Sequence, residues 1–247
     1  MPLLPPHPFA VSAFFRQSLV LTYAVPAETL AARVPHPLAV DTYDDRWAFV
    51  AVAMVQTEGL RPRGFPAWLG NDFFLAGYRI FVRYRNRAGK RLRGLYILES
   101  QTDRRRMKLM GNLMTHYNYR RIDVQQETTA STYAVRSVRA GFAVRVRFDA
   151  APPLPAGSPF PDWKTARRYA GPLPFTFTLT DDGREVIIVE GVRQNWQPRP
   201  VTVVGAKLDW LAAAGLPGAQ LASAFVVQNI PYLWRRGRRE AIETPPA

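Results

Sequence analysis

Residues 47–57, WAFVAVAMVQT, carry no charged side chain across eleven positions. A strand wetted on one face alternates apolar with polar residues, and this run does not, so it belongs in the core of a sheet. Strand-like segments bounded by turn residues surround it. Residues 13–25 read as a strand, and Pro26 opens a short helix that ends near Val34 at Pro35-His36-Pro37. Residues 38–43, the turn Asp44-Asp45 and residues 46–57 read as one hairpin. Residues 72–87, a turn at Ala88-Gly89-Lys90 and the return through LRGLYILES read as a second. Strands at 128–138 and 142–148 follow, then a proline-rich crossing and a short helix over 162–169. Strands then flank Asp181-Asp182-Gly183, and PVTVV, a short helix over 207–214 and LASAFVVQNIPYLW complete the pattern. The class is α+β, with residues 1–247 as one domain whose core spans about 10–236, and 237–247 as a loose basic tail.

Composition excludes several functions. Hydrophobic residues make up 47% of the 247, which rules out a disordered chain. The absence of cysteine removes disulfides, thiolate nucleophiles and sulfur-ligated zinc, and favours a reducing, cytoplasmic setting. A net charge of +14 admits an anionic ligand, nucleic acid or a membrane surface. The arginines are scattered through strand-like segments (Arg79, Arg83, Arg85, Arg145, Arg147), however, and no nucleic-acid-binding motif accompanies them, so no specific nucleic acid is expected. The N-terminal MPLLPPHPFAVSAFF lacks a basic region ahead of its apolar residues, and prolines break it, so it does not read as a signal peptide. The uncharged run 210–234 is long enough to span a bilayer, but Gly215, Pro217, Gly218, Asn229 and Pro231 interrupt it, and no membrane span is expected. His7, His36 and His116 are too far apart in sequence to form a metal motif, and neither a metal nor a cofactor is expected. The oligomeric state stays open, self-association included.

Groups able to do chemistry are densest in residues 99–119, ESQTDRRRMKLMGNLMTHYNY. With Asp103 as N-cap, RRRMKLMGNLM reads as a short helix placing Met107, Leu109, Met110, Leu113 and Met114 on one arc. Arg104, Arg105, Lys108 and Asn112 lie on the other. Arg106 falls within the apolar arc, either at a frayed end or with its guanidinium turned inward, where it needs an anion. His116, beside Tyr117 and Tyr119, is the acid/base candidate, with a satisfied structural imidazole as the plain alternative. Lys108 has Arg104 one turn before it, a like charge that would lower the amine pKa as imine chemistry requires, although its polar arc points to solvent. In the second hairpin, Arg79, Phe81 and Arg83 share one face and Tyr78, Ile80, Val82 and Tyr84 the other, more obvious core face. Solvent is therefore the plain place for Arg79 and a cavity wall the alternative.

The words GNLMTHYNY, VPHPLAVDTYDDRWAFVAVAM, VRQNWQP and FVVQNIPYLW resemble the uncharacterised YqjF-like family, domain-of-unknown-function family 2071, within the acetoacetate decarboxylase superfamily. The resemblance spans nearly the whole chain. It implies a cone-like antiparallel β-barrel with short decorating helices and a small-molecule cavity in its mouth. In the decarboxylase a Schiff-base lysine follows the helix. Here Met114, Thr115, His116, Tyr117 and Asn118 stand there, and the strand that carries a site glutamate in the decarboxylase offers arginine instead. The reading is a binder of a small anionic or carbonyl compound, with Arg106, Asn112, Tyr117, Tyr119 and Arg79 as contacts. Any lyase or isomerase chemistry falls to His116 or Lys108. A non-catalytic ligand-binding protein and a basic polyanion binder are the alternatives.

Overall fold

A computed structural model describes residues 6–169 and 173–242. In chain order its elements are β1 (Val11–Pro26), α1 (Ala27–Ala31), β2 (Ala39–Val40), β3 (Trp47–Pro62), β4 (Asn71–Arg85), β5 (Arg91–Thr102), α2 (Arg105–Met114), β6 (Tyr119–Arg121), β7 (Gln125–Thr128), β8 (Thr132–Ser137), β9 (Phe142–Arg147), α3 (Trp163–Ala166), β10 (Phe175–Leu179), β11 (Glu185–Arg193), β12 (Arg199–Pro200), β13 (Thr202–Leu208), α4 (Asp209–Ala213), β14 (Gln220–Trp234) and β15 (Arg238–Ala241). The architecture is mostly sheet with a few short helices. The larger sheet runs β12-β14-β1-β3-β4-β5-β10-β11-β15, with β2 on β4 and β6 on β5, and β11 pairs again with β14. A second sheet has the order β13-β9-β8-β7.

These pairings correct the expectation of one wholly antiparallel barrel. β5 runs parallel to both β10 and β6, and four strands form a sheet of their own. The first expected hairpin shrinks to a bridge between Tyr43 and Trp47 across Asp44 and Asp45, whose φ angles are 54° and 48°. Its first arm goes elsewhere: Ala39 and Val40 pair with Arg83 and Val82 of β4. The basic tail is also structured in part, because residues 238–241 pair with β11 as an edge strand. Residues 243–247 of that tail, and residues 1–5 of the segment weighed as a signal peptide, lie outside the described residues. Among the described residues no helix is long and apolar enough to cross a membrane, and the 210–234 run divides between α4 and β14.

Two apolar cores explain why 47–57 shows no alternation. Leu19 and Leu21 of β1, Val50, Val52 and Met54 of β3, and Tyr78 and Ile80 of β4 face one way, against Tyr133, Val135, Phe142 and Val144 of the second sheet. Their chain neighbours Val20, Phe49, Ala51 and Phe81 face the other way, against Phe160, Tyr169, Met107, Tyr117 and Tyr119. Period-two geometry thus sends successive apolar side chains into different cores, each large one contributing about 1.5–3 kcal/mol by leaving water. Asp162 caps α3 by accepting a hydrogen bond from the Thr165 amide at 2.7 Å. Asp103 does not cap α2. Its carboxylate accepts from the Phe74 amide at 2.8 Å, tying the helix entry to β4.

Candidate functional site

The second core is not filled. A cavity of about 340 Å³ opens within it, lined from β1, β3, β4, β5, α2, the segment 115–119 and β14. α2 supplies Met107, Met110 and Met114, and its Arg106 reaches the lining while staying solvent-exposed. Leu109 and Leu113 leave the expected apolar arc and are 70% and 40% exposed. Gly111 faces inward because the Tyr119 ring lies against it: a Cβ there would stand 2.4 Å from the ring.

Among the described residues, Arg79 is one of three arginines in this lining. Both faces of β4 are covered, so the face that alternation left to solvent is the cavity face, and Arg79 lines it. Its guanidinium folds over Gly77, where a Cβ would meet Nη2 at 2.8 Å. Among the described residues no carboxylate pairs with it, and its Nε has no hydrogen-bond partner. Burial pulls its pKa below the ordinary value, and the phenols of Tyr232, Tyr119 and Tyr117 act the other way. An arginine so placed stays charged, and desolvation makes the uncompensated charge costly.

The phenols are neutral donors. Burial raises the pKa of Tyr119 to about 12 and that of Tyr117 further still. The Tyr117 hydroxyl faces Thr176 and forms no hydrogen bond of normal geometry. His7 lines the cavity too, its ring centroid 5.0 Å from that of Tyr117. Burial first, and the nearby His116 second, lower its pKa to about 4, which leaves a neutral imidazole with an unpartnered Nε2. Its main chain is fixed between the carbonyl of Met114 (2.8 Å) and the amide of Gly237 (3.0 Å).

The structure therefore brings Arg79, Arg106, Tyr117 and Tyr119 together and leaves three candidates outside the lining. The Nδ1 of His116 lies 3.0 Å from the Leu179 carbonyl, and its Nε2 is 3.6 Å from Asp181. Lys108 is exposed on the outer side of α2. The Asn112 amide clamps Tyr119, donating to its carbonyl at 3.0 Å and accepting from its amide at 2.7 Å. The sequence reading missed His7 and Tyr232. Among the described residues no cluster of three His, Asp or Glu side chains is placed to hold a metal ion.

The sequence profile of the DUF2071 family, described as an uncharacterised conserved protein, matches residues 13–231. The chain belongs to that family. No curated protein sequence matches this DUF2071 chain. In fold it is similar to acetoacetate decarboxylase from Legionella pneumophila, with a TM-score of 0.64 and 11% identity over 94% of this chain and 87% of that one. It is also similar to an acetoacetate decarboxylase-like enzyme from Sphingomonas wittichii, with a TM-score of 0.60 and 13% identity over 96% of this chain and 93% of that one. The enduracididine biosynthesis enzyme MppR, complexed with pyruvate, matches with a TM-score of 0.53 and 13% identity over 96% of this chain and 91% of that one. At such identities the likeness is one of fold.

Proposed function

We propose that the cavity binds a small organic molecule bearing a carboxylate or carbonyl group. Arg79 is its cationic contact, Tyr117 and Tyr119 are hydrogen-bond donors, and Arg106 stands at the rim. The observation that carries this reading is Arg79, half-buried in the cavity wall with no carboxylate partner, in a cavity that has no acidic residue in its lining among the described residues. A ligand carboxylate would supply the counter-charge that the chain does not, in the bidentate geometry arginine favours. The fold neighbour MppR is described in complex with pyruvate, a small keto acid, which is in keeping with this chemistry.

Turnover in such a site, lyase or isomerase in type, would run by proton transfer and not through an imine. Among the described residues no lysine lines the cavity, whereas neutral His7 is an acceptor and the phenols are donors. The second reading, a ligand-binding protein without turnover, uses the same Arg79 contact and is favoured by the position of Lys108 and His116 outside the lining.

Calorimetric titration with pyruvate and acetoacetate tests the site: saturable binding is expected, weakened about tenfold or more in Arg79→Met by loss of a charged hydrogen bond. Borohydride reduction in the presence of acetoacetate should leave all four lysines unmodified, and a specific adduct would restore imine chemistry. Product formation without an adduct selects the enzyme, and binding without product selects the second reading. Failure of every small acid to bind, with submicromolar retention of arbitrary DNA at physiological salt, would put the polyanion reading in first place.

A further inference from the structure

We infer that the ligand is an amphipathic monocarboxylate, a single carboxylate carried on an apolar acyl or aryl body well beyond the size of a keto acid. This rests on the carboxylate reading of Arg79 and adds the rest of the molecule. Charge sets the head. Three arginines among the described residues reach the lining, but Arg61 donates to the carbonyls of Phe65 at 3.1 Å and Gly59 at 2.9 Å, and the charge of Arg106 at the rim is exposed to solvent. One desolvated cation therefore remains, enough for one negative charge. A second carboxylate would lie against apolar walls without compensation.

The walls set the body. Phe15, Tyr232 and Trp234 form an aromatic face, with ring centroids 4.7 Å apart for the first pair, 4.4 Å for the second and 5.6 Å between Phe15 and Trp234. Phe73 and the α2 methionines line other parts of the cavity, methionine being the side chain that adapts most readily to a varied apolar surface. The volume of about 340 Å³ corresponds to roughly eleven waters at about 30 Å³ each. A four-carbon keto acid would satisfy Arg79 and leave most of the apolar wall facing water that it cannot hydrogen-bond. An apolar body long enough to displace that water gains the hydrophobic contribution.

Calorimetry with acetate, butyrate, hexanoate and octanoate on the full chain decides the matter. Affinity should rise about fourfold per methylene, about 250-fold from butyrate to octanoate. Octylamine should not bind, and 1-octanol should bind more weakly than octanoate. Arg79→Met should remove the preference for octanoate over 1-octanol while 1-octanol binding persists, which also reports an intact cavity. Met110→Gln, which puts a neutral amide in the tail wall, should weaken octanoate about tenfold and acetate much less, and it serves if Arg79→Met does not fold. A flat chain-length series, or pyruvate binding as tightly as octanoate, overturns this inference and leaves the small-acid reading standing. Binding of 1-octanol with none of any acid overturns both.

Discussion

Arg83 and Arg79 stand on the same face of β4, four residues apart, in opposite electrostatic circumstances. Around Arg83 the chain supplies the anion: the Asp41 carboxylate, 1% exposed, accepts from Nε of both Arg83 and Arg93, and Arg83 also reaches the Thr42 carbonyl at 3.2 Å. Arg93 in turn lies 4.6 Å over the Tyr169 ring. Around Arg79, among the described residues, the titratable neighbours are the phenols of Tyr232, Tyr119 and Tyr117. One cation completes a cluster that holds β2, β4 and β5 together, and the other is stabilised by nothing of opposite charge. That difference is why we assign Arg79, and not Arg83, to a ligand.

The most forceful way to break the contrast is Asp41→Ala, which puts Arg83 and Arg93 in the condition of Arg79. A loss of about 3 kcal/mol is expected by urea denaturation, the low end for breaking a buried pair because both guanidiniums are partly solvated. A loss below about 1 kcal/mol would mean that the cluster is not structural.

Next in size is a pH effect from the cavity side. The folded pKa of His7 is about 4 against 6.5 in the unfolded chain, so between those values the unfolded state binds a proton that the native state does not. Stability is full above pH 6.5 and falls as pH drops through the window to about 4. Replacing His7 with Gln should remove up to about 2–3 kcal/mol of that fall, read as the difference between the two stability-versus-pH curves. Parallel curves would show His7 to be solvated.

Arg79→Met should act in the opposite direction to Asp41→Ala, raising stability by about 1–2 kcal/mol while acid binding is lost, since a desolvated unpaired cation gives way to an apolar side chain. Destabilisation of similar size would reveal an internal partner. Smallest of all, Lys108→Ala on the outer side of α2 should change stability by less than about 0.5 kcal/mol and leave acid binding as it was.

The frame of the fold was legible because its signals are local. The uncharged run in β3, the β4–β5 turn at Ala88-Gly89-Lys90 and the short helix after Asp162 can each be read within a dozen residues. β2 was misplaced because two residues cannot declare a register, and β15 was missed because a charged edge strand carries no apolar periodicity. Arg79 was ambiguous for a different reason: alternation separates the two faces of β4, but when both are covered it does not say which one is hollow. For His116 the needed signal was present and underused. Tyr117 and Tyr119 are two apart and share the cavity side, so by the same alternation His116, one residue before Tyr117, falls on the opposite side. No pattern marks His7, set between two prolines and brought to the cavity by main-chain bonds to distant residues.

The Asn112 clamp has a mechanical consequence. It fastens Tyr119, the first rung of β6 beside Ser100 of β5, to the helix that carries Met107, Met110 and Met114. The helix and that rung are therefore geared. An occupant that pushes the methionines outward also draws Tyr119 along and loads the parallel β5–β6 pairing. Cutting the linkage with Asn112→Ala should let the methionine wall yield independently of the phenol beside Arg79.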